Sequence, residues 1–219
     1  MKNPPQPSVC VIAGVALLAG VLPLGAASFT EDFESGLGQW TGKAGGSHHG
    51  ILVADPLASG HGTVLSFSDL AYGGDLFTAH PIWLSGPTVI SFDYLGLAIP
   101  CSVPGDLGGF LGVARHLDPG PTGSGNVWFA GTQDSYPGLA VLLTDDGVWH
   151  HYEITVDATA LGPFRLILED FAGSGGTAGD AYFDNLSVAP APNSVPEPTL
   201  ASFAVIGVLA SFAFRQRRP

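Results

Sequence analysis

Two pairs of adjacent histidines, His48-His49 and His150-His151, are the residues in this sequence best suited to hold a metal or move a proton. Zinc needs three or four convergent ligands, and the H-E-x-x-H spacing that supplies two of them from one helix is absent. In a strand, neighbouring side chains point to opposite faces, so His150 and His151 cannot grip one ion together. His48-His49 lies in a Gly-Ser-rich stretch and reads as a solvated loop. The paired acids are no more specific: Asp145-Asp146 before Gly147 reads as a turn, and Glu169-Asp170 closes an apolar run before the glycine-rich loop Gly173–Gly179. Glycoside hydrolysis needs two carboxylates facing each other across a cleft, and spacing singles out no such pair. There is no G-x-S-x-G nucleophile elbow, and "GSGGTAG" lacks the Gly-Lys-Ser/Thr ending of a phosphate loop. Cys101, beside Pro100, reads as a buried or incidental thiol. What remains is aromatic. Trp40, Trp83, Trp128 and Trp149 could each offer a ring on which the apolar face of a sugar packs. Most tryptophans of a small domain are core or half-buried, so one or two at most are expected at the surface.

The elements that must position these residues are strands. Ten short apolar or alternating runs are separated by Gly, Pro, Ser and Asp: Ile51–Ala54, Thr63–Ser68, Leu76–Ala79, Thr88–Leu95, Phe110–Arg115, Asn126–Ala130, Leu139–Leu143, Val148–Val156, Phe164–Glu169 and Ala181–Val188. Alternation is clearest in Val148–Val156, where Val148, His150, Tyr152, Ile154 and Val156 share one face and Trp149, His151, Glu153 and Thr155 the other. Ile90, Phe92 and Tyr94 likewise oppose Ser91 and Asp93. No run of helical period and useful length occurs between residues 28 and 194, and no internal repeat is visible. The reading is an all-β chain, an antiparallel β-sandwich.

The two ends differ from the middle. Met1-Lys2 supplies a positive start, Val9–Leu24 is an almost unbroken apolar run, and Gly25 and Ala27 are the small residues expected before a cut after Ala27. Residues 1–27 therefore read as a signal-peptide helix. At the other end Thr199–Phe214 is sixteen residues without a charge, a helix of about 24 Å against a hydrocarbon core of about 30 Å. Arg215, Arg217 and Arg218 follow and would hold the tail on the cytoplasmic side of a marginal transmembrane helix. Between the ends, residues 28–194 carry 18 acidic residues against three basic ones (Lys43, Arg115, Arg165), a formal charge of about −15. Such a surface repels nucleic acid, which needs Lys and Arg to displace counterions, and it repels anionic lipid. It suits divalent cations and neutral polymers. After loss of residues 1–27 only Cys101 remains, so no disulfide within the chain can staple this domain.

Two resemblances follow from quoted residues. Val195-Pro196-Glu197-Pro198, then an apolar helix, then an arginine-rich end, resembles the PEP-CTERM sorting signal over residues 195–219. The resemblance implies a Gram-negative host that makes exopolysaccharide, recognition by an exosortase (a membrane-embedded transpeptidase-like enzyme), and processing near the motif. Val195, Pro196, Glu197, Pro198, Arg215, Arg217 and Arg218 are then substrate residues for sorting, and the chain is anchored in the inner membrane only transiently. The opening "FTEDFESGLGQWTG", then "GVWHHYEITV" and the closing "YFDNLSV" are similar to galactose-binding-like jelly rolls, which include several families of carbohydrate-binding module. Concanavalin-like and laminin-G sandwiches share the tone of Trp149–Tyr152, and the choice stays open at this point. In the galactose-binding-like modules a structural calcium commonly joins the first and last strands. The resemblance implies Glu34 and Asp184 as its side-chain ligands, Asp32 as a further oxygen and Asp55 as a loop candidate.

Taken together, the chain reads as an exported, noncatalytic protein of the cell surface or extracellular matrix that binds exopolysaccharide. A polysaccharide-active enzyme and a purely structural matrix protein are the alternatives.

Overall fold

The computed structural model describes residues 29–69, 76–97, 106–115, 125–132, 138–172 and 179–192. The expected leader, Cys101, most of the loop 173–179, the sorting residues Val195–Pro198 with Arg215, Arg217 and Arg218, and the run 199–214 lie outside them. Among the described residues no helix is long and apolar enough to cross a membrane.

Among the described residues twelve strands form: β1 (Phe29–Glu31), β2 (Trp40–Thr41), β3 (Gly50–Ala54), β4 (Thr63–Phe67), β5 (Leu76–Thr78), β6 (Pro87–Gly96), β7 (Asp106–Ala114), β8 (Asn126–Gly131), β9 (Val141–Leu142), β10 (His150–Asp157), β11 (Arg165–Ala172) and β12 (Ala181–Pro190). Each of the ten runs read from the sequence overlaps one of them, and the structure adds β1 and β2. The only helical pieces described are a 3-10 turn at Lys43–Gly45 and one turn of α-helix, α1 (Ala158–Leu161), capped by the Asp157 carboxylate accepting from Thr159 N–H.

One sheet runs β10-β6-β12-β4-β3 with β1 also on β12, and the other runs β2-β5-β11-β7-β8-β9. The pairs are antiparallel except β8 with β9, which is parallel, a departure from the wholly antiparallel expectation. The two sheets are here called the front (β10 to β3) and the back. Alternation puts Ile90, Phe92, Tyr94, Ile154, Phe183 and Val188 of the front sheet against Leu111, Val113, Leu166 and Leu168 of the back sheet, all buried in one core. Each fully buried Phe or Leu contributes about 1.5–3 kcal/mol of transfer free energy. A second, smaller cluster of Phe77, Phe110, Trp128 and Ile167 lies apart from that core. Val148, which the sequence pattern sets on one face with Tyr152 and Ile154, lies before the strand, which begins at His150, and is 53% exposed.

The feature that positions the site is an irregularity in β12. Its first half pairs β4 at Phe183↔Leu65, and its second half pairs β1 from Glu31↔Leu186 to Phe29↔Val188. Register against β6 shifts between Asp184 and Ser187, and Asn185 takes φ +50°. β1 and β4 thus meet end to end along one strand, and the bulge marks their junction.

Candidate functional site

The front sheet's outer face carries a connected polar cluster around this junction. Asp93 of β6 stands opposite both His151 of β10 and Asp184 of β12 in the strand register. Asp93 Oδ1 lies 2.7 Å from His151 Nδ1, and its Oδ2 accepts from Asn185 Nδ2 at 2.7 Å. Asp184, almost fully buried, accepts the Asn185 backbone N–H at 2.8 Å and meets His61 Nδ1 at 2.8 Å. Burial pushes the Asp184 carboxyl above the usual range, helped by the charge of Asp93 and opposed by its bonds to His61 and Asn185.

His61 reaches this cluster from the loop joining β3 to β4, and that loop is held by one carboxylate. Asp55 accepts from Leu57 N–H at 3.0 Å, from Ser59 N–H and hydroxyl, and from Trp149 Nε1 at 3.1 Å. Burial pushes its carboxyl up, but these four donors outweigh burial and hold it well below the usual carboxylate range. Trp149 in turn stacks on the His61 ring, with centroids 4.0 Å apart and planes 20° from parallel. The indole is thereby fixed beside the cluster.

Adjoining the cluster is an open groove of about 310 Å³, floored by the β1–β12 pair. Thr30, Asp32, Ser35, Gln39, Asn185 and Ser187 bring hydroxyl, amide and carboxylate groups to it, with Glu31 and Leu186 completing the wall. Asn185 belongs to both the groove and the His61–Asp93–Asp184 cluster. Glu31 plays a structural part beneath them. It is 5% exposed, accepts from Phe33 N–H at 2.9 Å and Trp40 Nε1 at 3.0 Å, and also meets Gln39 Nε2 at 3.3 Å. It therefore ties the first strand of the front sheet to the first strand of the back sheet.

The residues singled out from sequence fall into place unevenly. Glu34 and Asp184 do reach the same junction, through one short segment: Thr63 N–H donates to Glu34 Oε1 at 2.8 Å, two residues from the His61 that meets Asp184. Gly62 lies between, at φ +69°, and a Cβ there would stand 2.1 Å from Glu34 Oε1. Asp32 accepts from Glu34 N–H at 3.2 Å. As arranged, these carboxylates face donors and not one another, and among the described residues no three His, Cys, Asp or Glu side chains are grouped to hold a metal ion. A cation there would have to displace Thr63 from Glu34 or His61 from Asp184. His150 and His151 do point apart: His150 Nε2 lies 2.9 Å from Asp146 Oδ1, and His151 meets Asp93. That contact with His150 is the main reason the Asp146 carboxyl sits below its ordinary value. Asp145, read as part of a turn, also does more, since its Oδ1 accepts from the buried Tyr94 hydroxyl at 2.7 Å. Of the tryptophans, Trp40 and Trp128 are buried, Trp149 is half-buried, and Trp83 is 63% exposed.

No protein-family model matches the chain, and no curated protein matches it. Solved structures similar to it include the CBM22-1 xylan-binding domain of Xyn10C from Paenibacillus barcinonensis, at 16% identity over 75% of this chain and 95% of that one, with a TM-score of 0.45. Another is the CBM22-1–GH10 part of xylanase 10B from Clostridium thermocellum in complex with xylohexaose, at 11% identity over 78% of this chain and 29% of that one, with a TM-score of 0.47. A third is the K1 cleaved adhesin domain of Lys-gingipain from Porphyromonas gingivalis W83, at 13% identity over 76% and 99%, with a TM-score of 0.45. At this level of similarity no residue role passes from them to this chain.

Proposed function

We propose that this is an exported, noncatalytic protein that binds a neutral exopolysaccharide along the outer face of its front sheet. The observation that carries the reading is the groove lined by hydroxyl, amide and carboxylate groups, whose Asn185 Nδ2 lies 3.5 Å from Nδ1 of the His61 ring that stacks on Trp149. Sugar hydroxyls both donate and accept, so a wall of Asp32, Ser35, Gln39, Asn185 and Ser187 matches them, while an aromatic ring takes the apolar sugar face. The domain's charge of about −15 disfavours a polyanion and leaves a neutral polymer as the matching class. Blocking the groove tests this. Ser187 faces outward opposite Thr30, so Ser187→Arg fills the groove without entering the core. The full chain is expected to lose affinity for the polysaccharide by on the order of tenfold or more, while its melting temperature stays unchanged. Unchanged affinity rejects the groove, and release of shortened glycan would assign the chain to the enzymes.

Export and sorting belong to the same proposal and are supported by the terminal residues alone. The chain purified from its host is expected to begin at Ser28 and to lack the apolar run 199–214, as read by intact mass. An exosortase-type enzyme would act at Val195–Pro198, and changing Arg215, Arg217 and Arg218 together to Ser should leave the chain unprocessed by removing the positive-inside brake. Normal processing of that variant would sink the sorting signal.

A structural calcium at Asp32, Glu34 and Asp184 is a separate proposal. It is supported by the meeting of Glu34 and Asp184 at the segment 61–63. A cation bound only by the folded state raises stability by about 2.7 kcal/mol at roughly 100-fold excess over its Kd. The expected result is a melting temperature several degrees higher in calcium than in chelator at matched ionic strength, and equal temperatures would reject the ion.

A further inference from the structure

The outer edge of β10 is an open strand edge without proline or lysine. On its inner side β10 pairs β6 residue by residue, from His150↔Tyr94 to Asp157↔Pro87, without a register shift. On its outer side no strand pairs it among the described residues. Protein edges are normally blunted by charged side chains, lysine above all, by proline, by a bulge, or by a covering helix or loop. His150–Asp157 reads HHYEITVD, with no proline, no lysine and no positive φ, and its carboxylates are Glu153 and Asp157. Exposed apolar residues flank the same edge. Thr144 N–H donates to Tyr152 Oη at 3.0 Å, which brings the exit of β9 alongside β10. Leu142 of β9 is 52% exposed, and Val148, just before β10, is 53% exposed.

We infer that β10 pairs antiparallel with β10 of a second copy, making one continuous front sheet across a two-fold dimer. A two-fold perpendicular to the sheet sets residues of the same face opposite each other. The register with Ile154 on the axis pairs residues 151–157, up to the start of α1 at Ala158, and the equally long register on Glu153, residues 150–156, would set Glu153 against itself. On the inner face it sets Tyr152 against Val156 and Ile154 against itself. On the outer face it sets His151 against Asp157 and Glu153 against Thr155, so no two like charges stand opposite. Moving the axis to Tyr152 or Val156 shortens the paired stretch. The same two-fold leaves both outer faces on one side of the sheet. The dimer would therefore present two grooves in one direction, a bivalent grip on a polymer. That consequence rests on the glycan reading, whereas the pairing itself does not.

Thr155 is exposed on the outer face, so its variants test the pairing without disturbing the core. Sedimentation velocity would be run on the full chain in a mild detergent that covers the apolar runs at both ends. The wild type is expected to show a monomer–dimer equilibrium. Thr155→Glu, which sets Glu against Glu153 twice, should weaken the dimer by on the order of tenfold. Thr155→Lys, which sets Lys against Glu153, should keep or strengthen it, and all three proteins should melt together at concentrations low enough that each is monomeric. A wild type that stays monomeric at every concentration overturns the inference. So does a dimer that Thr155→Glu leaves intact, or one that both substitutions weaken alike. If the dimer forms but Ser187→Arg still binds glycan normally, the pairing stands and the groove does not.

Discussion

Glu31→Ala is expected to lower the stability of the domain by about 2–4 kcal/mol, the cost of leaving two buried donors and a partly buried amide without an acceptor. The donors are Phe33 N–H and Trp40 Nε1–H, which meet the two carboxylate oxygens at 2.9 and 3.0 Å. Gln39 Nε2 is the third, at 3.3 Å. At about 2–4 °C per kcal/mol for a chain of this size, the melting temperature should fall by roughly 5–15 °C. Glu31→Gln keeps an acceptor for one donor and should lose less. Because Trp40 packs on Phe29 and Phe33, its fluorescence should report the loosening directly. A melting temperature unchanged in Glu31→Ala would mean that the link from β1 to β2 is not held by this carboxylate.

Asp55→Ala is the second large effect, about 2–3 kcal/mol, because one carboxylate serves the whole loop between β3 and β4. The consequence reaches the site. Without Asp55 the Trp149 indole loses its Nε1 partner, the His61 ring loses a fixed neighbour, and glycan affinity should fall together with stability. The pH dependence has a definite sign. A carboxyl held below its unfolded value, about 3.9, contributes stability that is fully present above that value and is lost as the pH falls below it toward the folded value. Asp184, held above its ordinary value, acts in the opposite sense and regains stability on protonation. The wild type should therefore lose stability below about pH 4 more steeply than Asp55→Asn, whose residue 55 cannot titrate. Chemical denaturation at pH 3 and pH 6 decides it, and parallel losses in the two proteins would remove Asp55 as the loop's anchor.

Much of this architecture was legible in the sequence, for a plain reason. Front-sheet strands such as β6 and β10 bury one face and wet the other, which writes a period of two into Pro87–Gly96 and His150–Asp157. Strands of three and two residues leave no such period; β5 and β9 lie inside longer apolar runs, whereas β1 and β2 lie among acids, glycines and Gln39 and were not visible. The three acids of Thr30-Glu31-Asp32-Phe33-Glu34 carry no mark of which one turns inward. Pairing on β12 puts Thr30 on the outer face and Glu31 on the inner one, and Phe33 then turns at φ +56°. Asp55 did have a local signal, an Asp followed by Pro56 and by a serine four residues on, the pattern of a side chain capping its own turn. His61 had none. Its partner Asp184 is 123 residues away, brought near only when β12 lies between β4 and β6. The expectation that one or two tryptophans are exposed fits Trp83 and half-buried Trp149.

The proposal that the groove takes a neutral glycan is tested most directly by titrating the full chain with exopolysaccharide from its own host, at fixed pH and at two salt concentrations, in a calorimeter. The account predicts saturable heat with little dependence on salt, because hydrogen bonding and ring stacking at the groove involve no counterion release. Absence of heat at saturating polymer, or affinity that collapses as salt rises, would contradict it.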